Sequence, residues 1–207
     1  MSTTADDDVL AVVRRARVLP VLRAGSADAA LAQVEPLVAA GLPVVELTTT
    51  IPSWERAVAG ARARWPQLRV GVGTVTDPDL ARRALDAGAA FLVSPWPAPG
   101  VREAADAAGR PFLEGGVTPA EVAAAAGRGV AKLFPAHLGG PAYLRSLLAV
   151  LPGARVVPTG GIALDDVGQW LEAGAFAVGV GSDLSRAAAQ DPGGTARRLA
   201  ALGEDVG

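Results

Sequence analysis

Apolar and polar positions along this chain fall into a repeating block. A run of four to seven apolar residues leads into a loop, then an alanine-rich amphipathic stretch, then a glycine, and the unit recurs about eight times. The apolar runs predict strands over residues 18–23, 43–48, 69–74, 90–94, 111–115, 131–135, 155–159 and 177–181. Short apolar runs bounded by turn signals and alternating with helical patterns imply a parallel sheet covered by helices. Two helix starts are written out. Asp77-Pro78 sets an N-cap residue before a first-turn proline, and Thr118-Pro119-Ala120-Glu121 reads as a capping box with proline at the first helical position. Helix ends are expected at Gly41, Gly88, Gly109 and Gly174, each following an alanine.

Eight such units closing on themselves make an α/β fold of one domain, a (β/α)8 TIM barrel over residues 1–207, with an extra N-terminal helix around residues 7–16. The alternative is an open doubly wound sheet. Its dinucleotide-binding form expects Gly-x-Gly-x-x-Gly after the first strand, and the chain has none there. In a barrel the active site forms at the C-terminal ends of the strands. Polar residues stand at nearly every one of those ends, which suits a small polar ligand.

Composition narrows the chemistry. Half of the residues are hydrophobic and the formal net charge is −2, so nothing points to nucleic acid or to an anionic membrane surface. Without cysteine there are no disulfides, cysteine nucleophiles or iron–sulfur clusters, and with His137 as the one histidine there is no two-histidine metal site. These absences agree with a chemistry that needs neither a metal nor an organic cofactor. The segment Met1 to Asp8 is polar and acidic, unlike a secretory signal, and no apolar run reaches the roughly 18 residues that span a bilayer. The expected compartment is the cytoplasm.

One residue stands apart. Lys132 is the only lysine, beside 18 arginines, and it lies in the apolar run Val130-Ala131-Lys132-Leu133-Phe134-Pro135. Arginine supplies charge and anion contacts but cannot lose its proton to act as a nucleophile. A primary amine in an apolar strand can shed its charge by desolvation and attack a carbonyl to form a Schiff base. The competing reading is a lysine that snorkels from a strand end. Glu46, in Val44-Val45-Glu46-Leu47-Thr48, is an uncommon carboxylate inside an apolar strand. It reads either as a structural ion-pair partner or as a general base beside Lys132. Arg23 ends the first strand and is suited either to a carboxylate ligand or to Glu46 itself.

The loops Pro158-Thr159-Gly160-Gly161 and Gly179-Val180-Gly181-Ser182-Asp183 follow strands seven and eight. Glycine-bearing turns ahead of helix N-termini present backbone N–H groups to phosphate, and barrels often bind phosphate at this position. His137 reads as a loop residue rather than a catalyst. Trp54, Trp65 and Trp170 read as packing residues, and Trp96 as a residue of the pocket mouth.

Taken together, Glu46-Leu47-Thr48, Gly71-Val72-Gly73-Thr74-Val75, Ser94-Pro95, Lys132-Leu133-Phe134-Pro135-Ala136, Pro158-Thr159-Gly160-Gly161 and Gly179-Val180-Gly181-Ser182 resemble the 2-keto-3-deoxy-6-phosphogluconate (KDPG) and 4-hydroxy-2-oxoglutarate aldolase family. The resemblance runs in order from about Val18 to Ser185. It implies a Schiff-base lysine at Lys132 and a proton-moving glutamate at Glu46. It also implies a pyruvate contact at Thr74 and phosphate contacts at Gly160, Gly161 and Ser182. The substrate-binding set expected by resemblance and strand-end position is Arg23, Thr50, Thr74, Pro95, Phe134, Thr159, Gly160, Gly161, Gly181 and Ser182. Members are commonly homotrimers. Where many members carry an arginine four residues after the glutamate, this chain has Thr50, so the carboxylate role passes to Arg23, as in members with the same exchange. Glu114 stands where strand five usually has proline, and it is expected to bring a further carboxylate near the pocket.

The reaction implied is cleavage of KDPG to pyruvate and glyceraldehyde 3-phosphate, a class I, metal-independent aldehyde-lyase reaction of the Entner–Doudoroff pathway. Alternatives on the same scaffold are 2-keto-3-deoxy-6-phosphogalactonate and 4-hydroxy-2-oxoglutarate aldolases. Thr159, before the double glycine, favours the gluconate type by resemblance. A phosphate-binding isomerase or synthase using Glu46 as base, and a non-catalytic sugar-phosphate-binding barrel, are the rival classes.

Overall fold

A computed structural model describes residues 5–204, with side chains for residues 9–202. The outer ends of the expected 1–207 domain, and the start of the acidic segment 1–8, lie outside the described residues. Eight strands run parallel: β1 (Val18–Leu22), β2 (Val44–Thr48), β3 (Arg69–Gly73), β4 (Leu92–Val93), β5 (Phe112–Gly116), β6 (Val130–Leu133), β7 (Arg155–Pro158) and β8 (Val178–Val180). The sheet order is β7-β6-β5-β4-β3-β2-β1-β8, and a single parallel bridge between Thr159 and Gly179 joins its two edges. This is the expected barrel.

Ten α-helices are described: α1 (Ala5–Ala16), α2 (Ala27–Ala39), α3 (Trp54–Arg64), α4 (Pro78–Asp86), α5 (Pro99–Ala107), α6 (Pro119–Ala126), α7 (Gly140–Val150), α8 (Val167–Glu172), α9 (Ser182–Gln190) and α10 (Pro192–Glu204). Among the described residues no helix is long and apolar enough to cross a membrane.

The local signals act as their chemistry requires. Asp77 accepts a hydrogen bond from the Leu80 N–H at 2.9 Å, and Thr118 and Glu121 close a reciprocal capping box on α6. Gly41 at φ 87° and Gly174 at φ 97° occupy the left-handed conformation that ends a helix cheaply only at glycine. α10 is a helix that the repeat did not announce. Its start repeats the Asp-Pro device, for Asp191 precedes Pro192 and accepts from the Gly194 N–H at 2.8 Å. Strand ends fall slightly short of the apolar runs. β6 stops at Leu133 because Pro135 has no N–H to continue the ladder. β3 stops at Gly73 because Thr74 turns out of the sheet at φ 60°.

Strand side chains alternate between the barrel lumen and the helix layer. The lower lumen is filled by Leu19, Val44, Phe91, Val93, Leu113, Val130, Val157 and Ala177, and Val9, Val12 and Val13 of α1 close its floor. The extra N-terminal helix is therefore a plug. Trp54 and Trp170 are buried between barrel and helices, and Trp65 packs against that layer. Trp96 is exposed, in the loop after β4.

The same alternation corrects the expectation for Glu114. On β5, Leu113 faces the lumen and Glu114 the helices. There its carboxylate meets Arg102 of α5, Nη2 to Oε2 at 3.2 Å, and accepts from the Ala98 N–H at 3.0 Å. Arg102 also donates to the Phe112 carbonyl and lies 4.6 Å from the Phe112 ring centroid. Glu114 is thus a structural ion-pair partner, and the charge feared beside a bound keto acid is neutralised outside the lumen. Removing one partner of a buried pair strands the other charge, at about 3–5 kcal/mol. Arg102→Met is expected to lose stability of that order in urea unfolding, while the turnover of the folded enzyme stays within about twofold. A drop in turnover with full stability would return Glu114 to the site.

Candidate active site

Above the plug, the lumen holds a charge pair. Lys132 projects inward from β6, flanked in register by Gly115 of β5 and Val157 of β7. Glu46 projects from β2, flanked by Val21 of β1 and Gly71 of β3. Their strands lie four places apart in the sheet, so the two side chains meet across the barrel, with Lys132 Nζ 3.7 Å from Glu46 Oε1. Lys132 is 5% and Glu46 1% exposed. Neither carboxylate oxygen of Glu46 has a hydrogen-bond partner. The Phe134 ring centroid lies 5.2 Å from Lys132 Nζ. A buried carboxylate normally collects several donors. Here, among the described residues, the amine is the one charged group paired with it, and two acceptor oxygens remain available for protons on a bound molecule.

Glycine makes the space. A side chain at Gly73 would fall inside the Glu46 carboxylate, and one at Gly179 would collide with Thr159. Thr74, next after Gly73, sits at φ 60°, a conformation costly for a β-branched residue. Thr49 holds it there by donating to its carbonyl at 2.8 Å.

A cavity of about 360 Å3 opens from Lys132 to the strand ends. It is lined by Arg23, Lys132, Phe134, Thr159, Gly160, Gly161, Gly181 and Ser182 of the expected set, and also by Val21, Ile162, Ala163 and Asp183. Arg23 is exposed at its mouth, and Glu46 is paired with Lys132 instead. Thr50, Thr74 and Pro95 do not line it. Thr50 is exposed and hydrogen-bonded to Thr48 at 2.7 Å, and Thr48 in turn donates to the Leu22 carbonyl at 3.0 Å. The Pro95 backbone instead abuts Gly115. His137 is exposed in a single 3-10 turn, Ala136–Leu138, rather than in the expected loop, and its Nδ1 lies 3.4 Å from the Gly160 carbonyl.

Asp183, quoted in the last glycine loop but given no role of its own there, stands in the first turn of α9, where an acid suits the helix N-terminus. It accepts from the Leu164 N–H at 2.8 Å and pairs with Arg186 at 2.7 Å, tying the loop after β8 to the loop after β7. The Leu164 N–H first, then Arg186, hold its carboxyl below the usual aspartate value.

A family model for KDPG and KHG aldolases matches residues 9–197. The chain belongs to the KDPG and KHG aldolase family. It is thereby a carbon–carbon lyase. It is 34% identical over 188 residues to the 2-dehydro-3-deoxy-6-phosphogalactonate aldolase of Escherichia coli K12, covering 89% of this chain and 91% of that one. It is also 34% identical over 161 residues to the 2-dehydro-3-deoxy-phosphogluconate aldolase of Pseudomonas aeruginosa PAO1, covering 76% and 73%. Among solved structures, the KDPG aldolase of Legionella pneumophila superposes with a TM-score of 0.81 at 28% identity, covering 93% of this chain and 97% of that one. That enzyme was captured with pyruvate as a covalent carbinolamine.

Two predictions follow from the geometry of this aldolase. Gly73→Ala is expected to displace the Glu46 carboxylate and lower kcat by about tenfold or more, since misplacing a reacting group by about 1 Å can cost 10²-fold. Unchanged kcat would mean that Glu46 need not stand where it does. Asp183 has a lowered folded-state pKa, so its charge stabilises the fold above the ordinary aspartate value and that contribution disappears as pH falls through the lowered one. The Tm difference between wild type and Asp183→Asn should therefore shrink on acidification through this range. A difference that grew would contradict the assignment.

Proposed function

We propose that this enzyme cleaves KDPG to pyruvate and glyceraldehyde 3-phosphate through an imine on Lys132. The observation that carries the reading is the 3.7 Å approach of the chain's one lysine amine to Glu46, whose oxygens have no hydrogen-bond partner, beside a cavity that ends in two glycine loops. Lys132, relieved of its proton by Glu46, attacks the C2 ketone to give a carbinolamine. Loss of water, with its proton supplied through Glu46, leaves an iminium. The iminium takes up the electron pair of the C3–C4 bond as the C4 hydroxyl loses its proton, and glyceraldehyde 3-phosphate departs. The resulting enamine is protonated at C3, and water releases pyruvate from the lysine. Arg23 at the cavity mouth would hold the substrate carboxylate, and Gly160, Gly161, Gly181 and Ser182 the phosphate. Thr50, Thr74 and Pro95 stand outside the cavity wall, so in this reading they act on its shape. The likeness to an enzyme captured as a pyruvate carbinolamine supports the covalent step.

A second substrate has its own support. The E. coli phosphogalactonate aldolase is matched over 91% of its length. Thr159, buried at the cavity wall and given room by Gly179, favours the gluconate by resemblance. Steady-state kinetics on both substrates separate the two, and a tenfold preference for the galactonate would overturn the gluconate assignment. The homotrimer common in the family is proposed here too, and light scattering should give three times 20.8 kDa.

Borohydride reduction in the presence of pyruvate should add one pyruvate less one oxygen atom to the intact mass, on Lys132. Lys132→Arg should remove both adduct and activity while keeping the fold. Glu46→Gln should lower kcat by about 10²–10⁴. Loss of activity in Glu46→Gln without any pyruvate adduct in wild type would favour the isomerase or synthase class. A hydrogen bond to a charged group contributes about 1.5–3 kcal/mol. Ser182→Ala should therefore raise KM for the phosphorylated substrate roughly tenfold or more and leave 4-hydroxy-2-oxoglutarate cleavage nearly unchanged. Equal losses on both would make Ser182 a support of its loop.

A further inference from the structure

The N-terminal end of the barrel, opposite the catalytic cavity, carries a second and larger concavity of about 990 Å3. Arg14 and Arg15 enter it from the last turn of α1, Arg17 from the residue before β1, and Arg155 from the start of β7. Leu148, Leu171 and Phe176 supply an apolar wall, and among the described residues no carboxylate lines the cleft.

This is an unusual placement of charge for the molecule. The chain has 21 acids against 19 bases. Several of its other surface arginines are ion-paired, as Arg56 is with Asp28, Arg64 with Glu35 and Arg186 with Asp183. Among the described residues the side chains of Arg14, Arg15 and Arg17 have no hydrogen-bond or ion-pair partner. The C-terminal dipole of α1 accounts for a basic residue in its last turn. It does not account for Arg17 beyond the helix or for Arg155 from another element. Arg155 is moreover held in position, with Nε donating to the Gly129 carbonyl at 3.2 Å and the guanidinium 6.0 Å from the Phe176 ring centroid. Four guanidiniums around one cleft give it a positive potential that a multiply charged anion would neutralise, and their planar forks match phosphate oxygens. The volume suits a ligand larger than one phosphate.

We propose that this cleft binds a polyphosphate group, carried by a nucleotide or by an inorganic polyphosphate. The site is separate from the catalytic one and needs neither Lys132 nor Ser182. Calorimetric titration of the intact enzyme with ATP and, separately, with inorganic tripolyphosphate tests it at low and at physiological salt. Both probes are expected to bind, more weakly as salt rises. Tighter binding of ATP would identify a nucleotide using the apolar wall, and equal binding an inorganic chain. Arg15→Glu combined with Arg17→Asn is expected to weaken binding at least tenfold, asparagine being chosen because it tolerates the φ of 57° at residue 17. Arg56→Glu, a charge reversal at a paired surface arginine, should change affinity less than twofold, as should Ser182→Ala. Aldolase turnover of the Arg15/Arg17 variant reports that it is folded. No binding of either probe, equal weakening by Arg56→Glu, or weakening by Ser182→Ala and not by the arginine variant would each overturn the proposal.

Discussion

The upper half of this barrel is organised around a carboxylate that has no hydrogen-bond donor. Glu46 is 1% exposed, and what it has in place of donors is the amine of Lys132 at 3.7 Å. Such a pair is a poor way to stabilise a protein, because desolvating two charges offsets much of their attraction, and removing either leaves the other stranded. In the proposed mechanism its usefulness is chemical. An acid and an amine held apart from water, each being the other's charged neighbour, can exchange a proton and then turn together to a third group. The fold carries this cost in the lumen because the rest of the core is apolar and densely filled below it.

The position of the pair follows from two-residue periodicity in parallel strands. Glu46 and Lys132 share the lumen face with Val44 and Val130 beneath them, so an inward-facing column on each strand turns from apolar to charged on passing from floor to mouth. Glycine controls how much of the upper lumen stays open. Gly71 accommodates the Phe91 ring, Gly73 the Glu46 carboxylate and Gly179 the Thr159 side chain. Each small residue on one strand thus admits a larger one from another, and the volume left over is the cavity. α1 then closes the floor with Val9, Val12 and Val13, which leaves the lumen open at the end where Glu46 and Lys132 stand.

Much of this was legible in the sequence. Eight apolar runs, the Asp-Pro and Thr-Pro helix starts and the glycine ends are local signals, and each reflects a local cause: a ladder, a cap or a left-handed turn. The lysine and the glutamate were legible because both are anomalies in apolar runs. What escaped is what depends on which face a residue takes. Glu114 is as anomalous as Glu46 in the one-dimensional pattern, yet one place of parity sends it outward to Arg102. Thr50, Thr74 and Pro95 follow strand ends where the chain turns, and motif position does not say whether such residues face a cavity or brace its wall. α10 was missed because it lies beyond the eight-unit repeat.

Asp183 raises a further physical question, since it is an acid in the wall of a cavity proposed to hold a phosphate. Its charge is engaged by the Leu164 N–H and by Arg186, both directed at the carboxylate. The Leu164 bond is the more consequential of the two, because it fixes the loop after β7 to the first turn of α9. Without such a tie, Gly160 and Gly161, at φ 98° and 72°, would sit in a loop with wide conformational freedom, and ordering it would fall to the ligand. An acid that repels phosphate slightly can therefore still favour its binding, by ordering in advance the backbone that receives it.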